Sequence, residues 1–219
     1  MNCELVIFDC DGVLVDSEPI SNRVFTAALR DLGFDWSYDE VCRRFIGHSM
    51  AHCLLEIEAD LGRPVPECFL DELQARTFDA FREEKLQPVP GIPELLDRLE
   101  IPFCVASSGE PEKMRTTLGL TGLLPRFEGR LFSSVQVRHG KPAPDLFLLA
   151  AESCGAAPDR CVVIEDSVAG VRAGVDAGMA VLGYGGGPAG ADLAAHGATV
   201  FESMAEVPRL IGPVAAGQA

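Results

Sequence analysis

The chain has 219 residues, 47% of them hydrophobic, enough to bury a sizeable core as one long domain or two small ones. With 33 acidic residues against 18 basic ones, its formal charge of −15 argues against nucleic acid or an anionic membrane as a main partner, and any phosphorylated ligand must be met by a few well-placed cations. The eight cysteines include no C-x-x-C pair and read as reduced core residues; with no basic segment leading an apolar one at Met1-Asn2-Cys3-Glu4 and no bilayer-length apolar run, the expected location is cytoplasmic.

Leu5 to Phe8 is continuously apolar, as expected of a parallel strand buried on both faces, and it runs into Asp9-Cys10-Asp11-Gly12. Asp9 therefore falls at a strand's carboxyl end, where open α/β sheets put their ligand sites, and Gly12 permits a sharp turn. Two carboxylates so close would repel one another, and a hard divalent cation is the simplest compensator. An Asx-type turn capping the next helix is the other reading of the D-x-D pattern.

From about Pro19 to Gln87 the periodicity is helical, with no convincing strand, so residues 17–87 are expected to form an all-helical insert between residues 1–16 and 88–219. Pro88-Val89-Pro90-Gly91 marks its exit, and the two short crossings make a hinge plausible. Within the insert, His48 and His52 are four apart, without carboxylates at ligand spacing. Trp36 and Tyr38 read as the cover of a small core, and Asp71, Glu72, Asp79, Glu83 and Glu84 as a solvated helix face.

Beyond residue 90, strands are predicted at Phe103–Ala106, Arg130–Ser133, Cys161–Ile164, Ala180–Leu182 and Thr199–Phe201. They alternate with helices at Ile92–Leu99, Glu112–Leu118, Asp145–Ser153 and Val168–Ala177. Gly183 to Gly187 reads as a flexible loop. The fold class is thus α/β, a doubly wound, Rossmann-like parallel sheet with an inserted helical domain.

Three further signals sit at strand ends. Ser107-Ser108-Gly109 offers hydroxyl and backbone N–H donors to a phosphate oxygen, or is only a turn. Lys141 sits on a proline-stiffened segment, Gly140-Lys141-Pro142-Ala143-Pro144-Asp145, before a helix that Asp145 could cap; it reads either as a fixed point charge or as a solvated lysine. Val162-Val163-Ile164 runs straight into two consecutive carboxylates, Glu165-Asp166, for which helix capping by Asp166 is the plain structural reading.

In this order and spacing, Asp9 and Asp11, Ser107, Lys141 and Glu165-Asp166 resemble the four signatures of the haloacid dehalogenase superfamily, and the resemblance covers nearly the whole chain. The helical insert between the first two signatures is similar to the mobile cap of the subgroup containing β-phosphoglucomutase and small sugar-phosphate phosphatases, with Asp9-Cys10-Asp11-Gly12 and Lys141-Pro142 looking closest to 6-phosphogluconate-type phosphatases. The resemblance implies a phosphomonoester hydrolase of a small phosphorylated sugar or sugar acid. Asp9 would be the nucleophile, forming an aspartyl-phosphate, and Asp11 the acid/base. Ser107, Ser108 and Lys141 would bind the phosphoryl group. Mg²⁺ would be held by Asp9, Asp166 and a backbone carbonyl at Asp11, with Glu165 among the metal-site residues. The second aspartate disfavours dehalogenation. A phosphosugar mutase is the alternative, although Met50 and Thr77 stand where its cap cations would be; a non-catalytic sugar-phosphate sensor is a third reading. Arg44, His48 and Ser49 are the candidate substrate contacts from the insert.

Overall fold

A computed structural model of the chain describes residues 3–46 and 50–212. The chain divides into two compact units, one made of the residues up to Asp16 together with those from Gln87 onward, the other of Ser17–Leu86.

The first unit is built on a sheet that, among the described residues, has six strands, all parallel, in the order β3-β2-β1-β4-β5-β6. The strands are β1 (Leu5–Phe8), β2 (Phe103–Ser107), β3 (Leu131–Ser133), β4 (Cys161–Glu165), β5 (Ala180–Tyr184) and β6 (Thr199–Phe201). In β1 and β4 every residue is buried, which is why Leu5–Phe8 and Cys161–Ile164 are unbroken apolar runs rather than alternating ones, with the buried carboxylate of Glu165 closing β4. Ile7 pairs with Cys104 on one side and Val163 on the other, so β1 is the central strand at which the winding direction reverses. One face of the sheet presents Leu5, Ile7, Cys104, Ala106, Cys161 and Val163, and packs against Leu146, Phe147, Ala150, Val171 and Ala173 of two helices, Asp145–Ser153 and Val168–Asp176.

The helical elements in chain order are α1 (Glu18–Asp31), α2 (Tyr38–Phe45), α3 (Met50–Leu61) and α4 (Phe69–Glu83) in the second unit, then α5 (Ile92–Arg98), α6 (Pro111–Leu120), α7 (Asp145–Ser153), α8 (Val168–Asp176), α9 (Gly187–Ala195) and α10 (Val207–Ile211) in the first. Neither acidic residue at two helix starts caps its helix. Asp145 does not cap α7: the cap position is Pro144, and the Asp145 carboxylate instead meets His139 Nδ1 at 3.2 Å. Asp166 does not cap α8 either, because Ser167 does, its hydroxyl accepting from the Gly170 N–H at 3.1 Å. The glycine-rich stretch is also not one loop. Gly183 and Tyr184 finish β5, Gly187 opens α9, and a Cβ at Gly183 would lie 3.2 Å from the Leu193 side chain of α9. Here glycine serves close helix–strand packing rather than flexibility.

The second unit is held by a core of Phe25, Leu29, Val41, Phe45, Ile57, Phe69 and Leu73. Trp36 stacks on Phe34 with centroids 4.0 Å apart and packs against this core, covering it as expected. Where the chain crosses between the units, the inbound and outbound segments pair with each other: Asp16 N–H donates to Gln87 C=O at 3.0 Å, and Val89 N–H to Leu14 C=O at 3.0 Å. No helix among the described residues is long and apolar enough to cross a membrane.

Candidate active site

The carboxyl edge of the sheet gathers the chemistry. Asp9 follows β1 directly, its N–H donating to Ile164 C=O of β4 at 2.9 Å, so its backbone is registered on the neighbouring strand. The chain then turns tightly: Cys10 C=O accepts from the N–H groups of Leu14 and Val15 at 2.9 and 3.0 Å, and Gly12 takes a left-handed φ of 77°. A Cβ added at Gly12 would stand 1.8 Å from Asp166 Oδ2. The position thus demands glycine twice, for its φ and because the Asp166 carboxylate lies against this turn.

Lys141 is the electrostatic hub. Its Nζ donates to Asp9 Oδ1 at 2.6 Å, Glu165 Oε1 at 2.5 Å and Ala106 C=O at 2.9 Å, and lies 4.8 Å from the Phe147 ring centroid. The Lys141 side chain is 3% exposed, that of Glu165 1% and that of Asp9 11%. A buried ammonium survives only with such partners. Burial by itself would pull the Lys141 pKa down, but the two carboxylates overcome it and hold the group above the ordinary lysine value. Asp9 goes the other way: burial pushes it up to about 7, with Lys141 resisting and Glu165 and Asp11 adding to the rise.

Glu165 was expected among the metal-site residues, but the structure uses it differently. Its Oε1 holds Lys141, while Oε2 accepts from Asp166 N–H, Ser167 N–H and Ser167 Oγ at 3.0, 3.0 and 2.9 Å. With both oxygens engaged within the protein, Glu165 brackets Lys141 and the turn carrying Asp166. Gly170 makes room for it, since a Cβ there would fall 1.8 Å from Glu165 Oε1.

Ser107 ends β2 and is buried, its Oγ accepting from Gly109 N–H at 3.1 Å. Two residues that sequence reasoning missed buttress this loop: Ser133 Oγ donates to Gly109 C=O at 2.7 Å, and Ser134 Oγ to Ser108 C=O at 2.9 Å. A third is Lys113 on α6, whose Nζ donates to Asp11 Oδ2 at 2.7 Å. The one visible signal for Lys113 was its place in the first turn of the helix after Ser107; Ser133 and Ser134 follow from β3 lying beside β2, which no local pattern announces.

Of the candidates from the helical unit, His48 and Ser49 lie outside the described residues. Arg44, expected as a substrate contact, is committed inside its own unit, with its guanidinium 2.6 Å from Asp60, 3.6 Å from Glu56 and 4.2 Å above the Trp36 ring centroid. His52 Nε2 lies 3.1 Å from Glu56 Oε1, a carboxylate four residues on along the same helix face that the sequence reading overlooked.

Among the described residues no three His, Cys, Asp or Glu side chains converge as a ready-made metal cage. That does not disqualify Mg²⁺, which keeps several waters and takes only one or two carboxylates with substrate oxygens. The side chains on this edge carry four carboxylates, Asp9, Asp11, Glu165 and Asp166, against the ammonium groups of Lys113 and Lys141. The excess of two negative charges and the all-oxygen donor set fit a hard divalent cation.

Known proteins resemble this chain in sequence and, where solved, in fold. A model of the haloacid dehalogenase-like hydrolases matches residues 3–178. The 6-phosphogluconate phosphatase of Escherichia coli K12 is 32% identical over 211 residues, covering 94% of each chain, and hexitol phosphatase A of the same organism is 32% identical over 185 residues, covering 83% of each. A HAD family hydrolase from Deinococcus radiodurans R1, crystallised with bound phosphate and sodium, superposes with a TM-score of 0.78 at 33% identity, over 94% of this chain and 93% of that one. A signature order of Asp9 and Asp11, Ser107, Lys141 and Glu165-Asp166 on such a sheet, a family match over most of the chain and relatives of near-equal length have one reading: the chain belongs to the haloacid dehalogenase-like hydrolases.

Proposed function

We propose that the chain is a Mg²⁺-dependent phosphomonoesterase of small phosphorylated sugars or sugar acids, with Asp9 as the nucleophile. The observation that carries this reading is the Asp9–Lys141–Glu165 cluster: a carboxylate held at a strand end by a buried ammonium, 2.6 Å away, that is itself fixed by a second carboxylate.

An Asp9 oxygen attacks phosphorus, forming an acyl phosphate while the ester oxygen leaves, and water then hydrolyses that intermediate. Phosphoryl transfer depends mainly on alignment and neutralisation of charge on the equatorial oxygens, and Lys141 supplies a fixed positive charge beside Asp9. The Ser107 hydroxyl, accepting from Gly109 N–H, has its own proton to donate to a phosphoryl oxygen. Asp11, two residues on and outside the Lys141 cluster, gives a proton to the leaving alcohol and takes one from the attacking water. Asp9, Asp166 and the Asp11 carbonyl would hold Mg²⁺. When bound, the ion supplies the charge that lets a carboxylate approach a phosphate dianion.

Hydrolysis is preferred to mutase chemistry because two relatives of near-equal length are named for phosphate-ester hydrolysis. Two cap arginines that could bind a distal phosphate are also engaged, Arg44 with Asp60 and Arg76 with Asp31 at 2.7 Å. The test is phosphate release in Mg²⁺ from a panel of sugar phosphates, phosphorylated sugar acids and p-nitrophenyl phosphate, with isomer analysis for hexose 1-phosphates. We expect release without isomerisation and its abolition in Asp9→Asn. Wild-type rates in Asp9→Asn would overturn the nucleophile, and bisphosphate-dependent isomer formation would overturn hydrolysis.

A further inference from the structure

Helix α6 grips the Asp9–Gly12 turn at two points one helical turn apart. Thr117 Oγ1 lies 3.8 Å from Cys10 Sγ, and Lys113 Nζ lies 2.7 Å from Asp11 Oδ2. Residues four apart share a helix face, so the spacing of Lys113 and Thr117 matches consecutive residues of the turn to one face of α6. Thr117 Oγ1 also lies 3.0 Å from the Lys113 carbonyl, tying the two anchors together. Gly109 lies alongside: a Cβ there would be 3.8 Å from both Asp11 Oδ2 and Lys113 Cδ, and 3.4 Å from Ser107 Oγ. The Asp11–Lys113 pair is thus built in beside the phosphate-binding loop, half-buried, with side chains 26% and 31% exposed, unlike the solvated pairs elsewhere.

We propose that Lys113 is a positioning residue for Asp11, fixing its carboxylate for the water-activating half of the reaction. The inference rests on the phosphomonoesterase reading given above. In that half-reaction a water oxygen bonds to phosphorus, its proton passes to the Asp11 carboxylate, and the bond between phosphorus and Asp9 breaks with its electron pair returning to Asp9. Inorganic phosphate, ionised Asp9 and protonated Asp11 result, and Asp11 delivers its proton to the next leaving alcohol. A carboxylate on a short side chain has several rotamers, and displacement of about 1 Å in a reacting group costs on the order of 10²-fold. Lys113 acts only through Asp11.

The experiment uses p-nitrophenyl phosphate, whose leaving group departs without being protonated, so that only hydrolysis of the intermediate calls on Asp11. In Mg²⁺ buffer, Lys113→Met and Lys113→Gln should release a burst of nitrophenolate approaching one equivalent per enzyme, larger than that of the wild type. Steady turnover should then be slower by roughly 10- to 100-fold, with a phosphoryl adduct visible in the acid-quenched intact mass. Lys113→Arg should restore turnover to within a few-fold. A merely structural role would lower burst and steady rate together, and a substrate-binding role would raise KM at unchanged kcat; either result, or wild-type kinetics in both variants, overturns the proposal. Asp9→Asn separates the levels: if it keeps its activity, the functional reading fails and takes this inference with it, whereas an inactive Asp9→Asn beside wild-type kinetics in Lys113→Met removes the inference alone.

Discussion

The two units use the same ion pairs to opposite ends. In the helical unit, Arg76–Asp31, Arg82–Asp79 and Arg23–Glu84 join side chains that are each more than two-fifths exposed. On the sheet, Lys141 meets Asp9 and Glu165 with almost no access to water. Water screens the first set, and holding two long side chains together offsets most of what Coulomb attraction supplies. The second set lost its hydration on folding, so each member depends on the others. Ion pairs of similar length therefore carry different information: the exposed ones decorate helices, while the buried cluster lies where we propose the chemistry takes place.

The sharpest way to break this contrast is Lys141→Met, which leaves Asp9 and Glu165 facing each other in a dry site. We expect a stability loss of about 3–5 kcal/mol in denaturant titrations at neutral pH and loss of phosphatase turnover by at least ~10²-fold. A loss below about 1 kcal/mol would put the buried cluster on the same footing as the surface pairs.

A smaller effect concerns pH. Because burial raises Asp9 to about 7, the folded protein retains a proton that the unfolded chain gives up near its ordinary value of 3.8. The folded state then binds more protons than the unfolded one between these limits, so Asp9 lowers stability progressively from about pH 4 to about pH 7 and adds nothing further above that. Asp9→Asn cannot ionise. With divalent ions chelated, the melting temperature of Asp9→Asn minus that of the wild type should therefore rise from pH 4 to pH 7, and Mg²⁺ should flatten this rise by stabilising ionised Asp9. A difference that is level across this range would mean that the wild-type carboxylate titrates normally.

The smallest effect belongs to the helical unit: Arg76→Ala, which breaks the pair with Asp31, should change stability by at most about 1 kcal/mol, within the range of exposed ion pairs. A change of several kcal/mol in the same denaturant titration would erase the distinction between the units.

How much of this was legible before the structure follows from the same physics. Strands buried on both faces write themselves as apolar runs, so β1 was located to the residue and β4 extends one residue further than expected, as does β2. The short strand β6 was also located to the residue, although Thr199 is exposed and only Phe201 is buried. The candidate site was legible where it sits at the ends of those runs: Asp9, Ser107 and Glu165 each follow or finish a strand. What stayed hidden depends on which strands are neighbours. Ser133 and Ser134 support the Ser107–Gly109 loop only because β3 pairs with β2, and Lys113 reaches Asp11 across 102 positions of sequence. The role of Glu165 was obscured differently. A carboxylate beside another suggests a ligand, and only the hydrogen bonds to Lys141, Asp166 and Ser167 show that it is already in use. Gly183 to Gly187 misled because glycine signals both looseness and close packing.

The pairing of the two crossing segments has a consequence for how such a chain can vary. Asp16 and Gln87 are joined by a backbone hydrogen bond, so the sheet unit itself brings together the ends of everything between them. To the strands, the insert is a closed side loop, and doubling its length would add only about 0.6 kcal/mol of closure entropy. Modules of different size and make-up can thus be exchanged at this junction while the register of β1 against β2 and β4 stays as it is, so the insert can diverge without disturbing the carboxyl edge of the sheet.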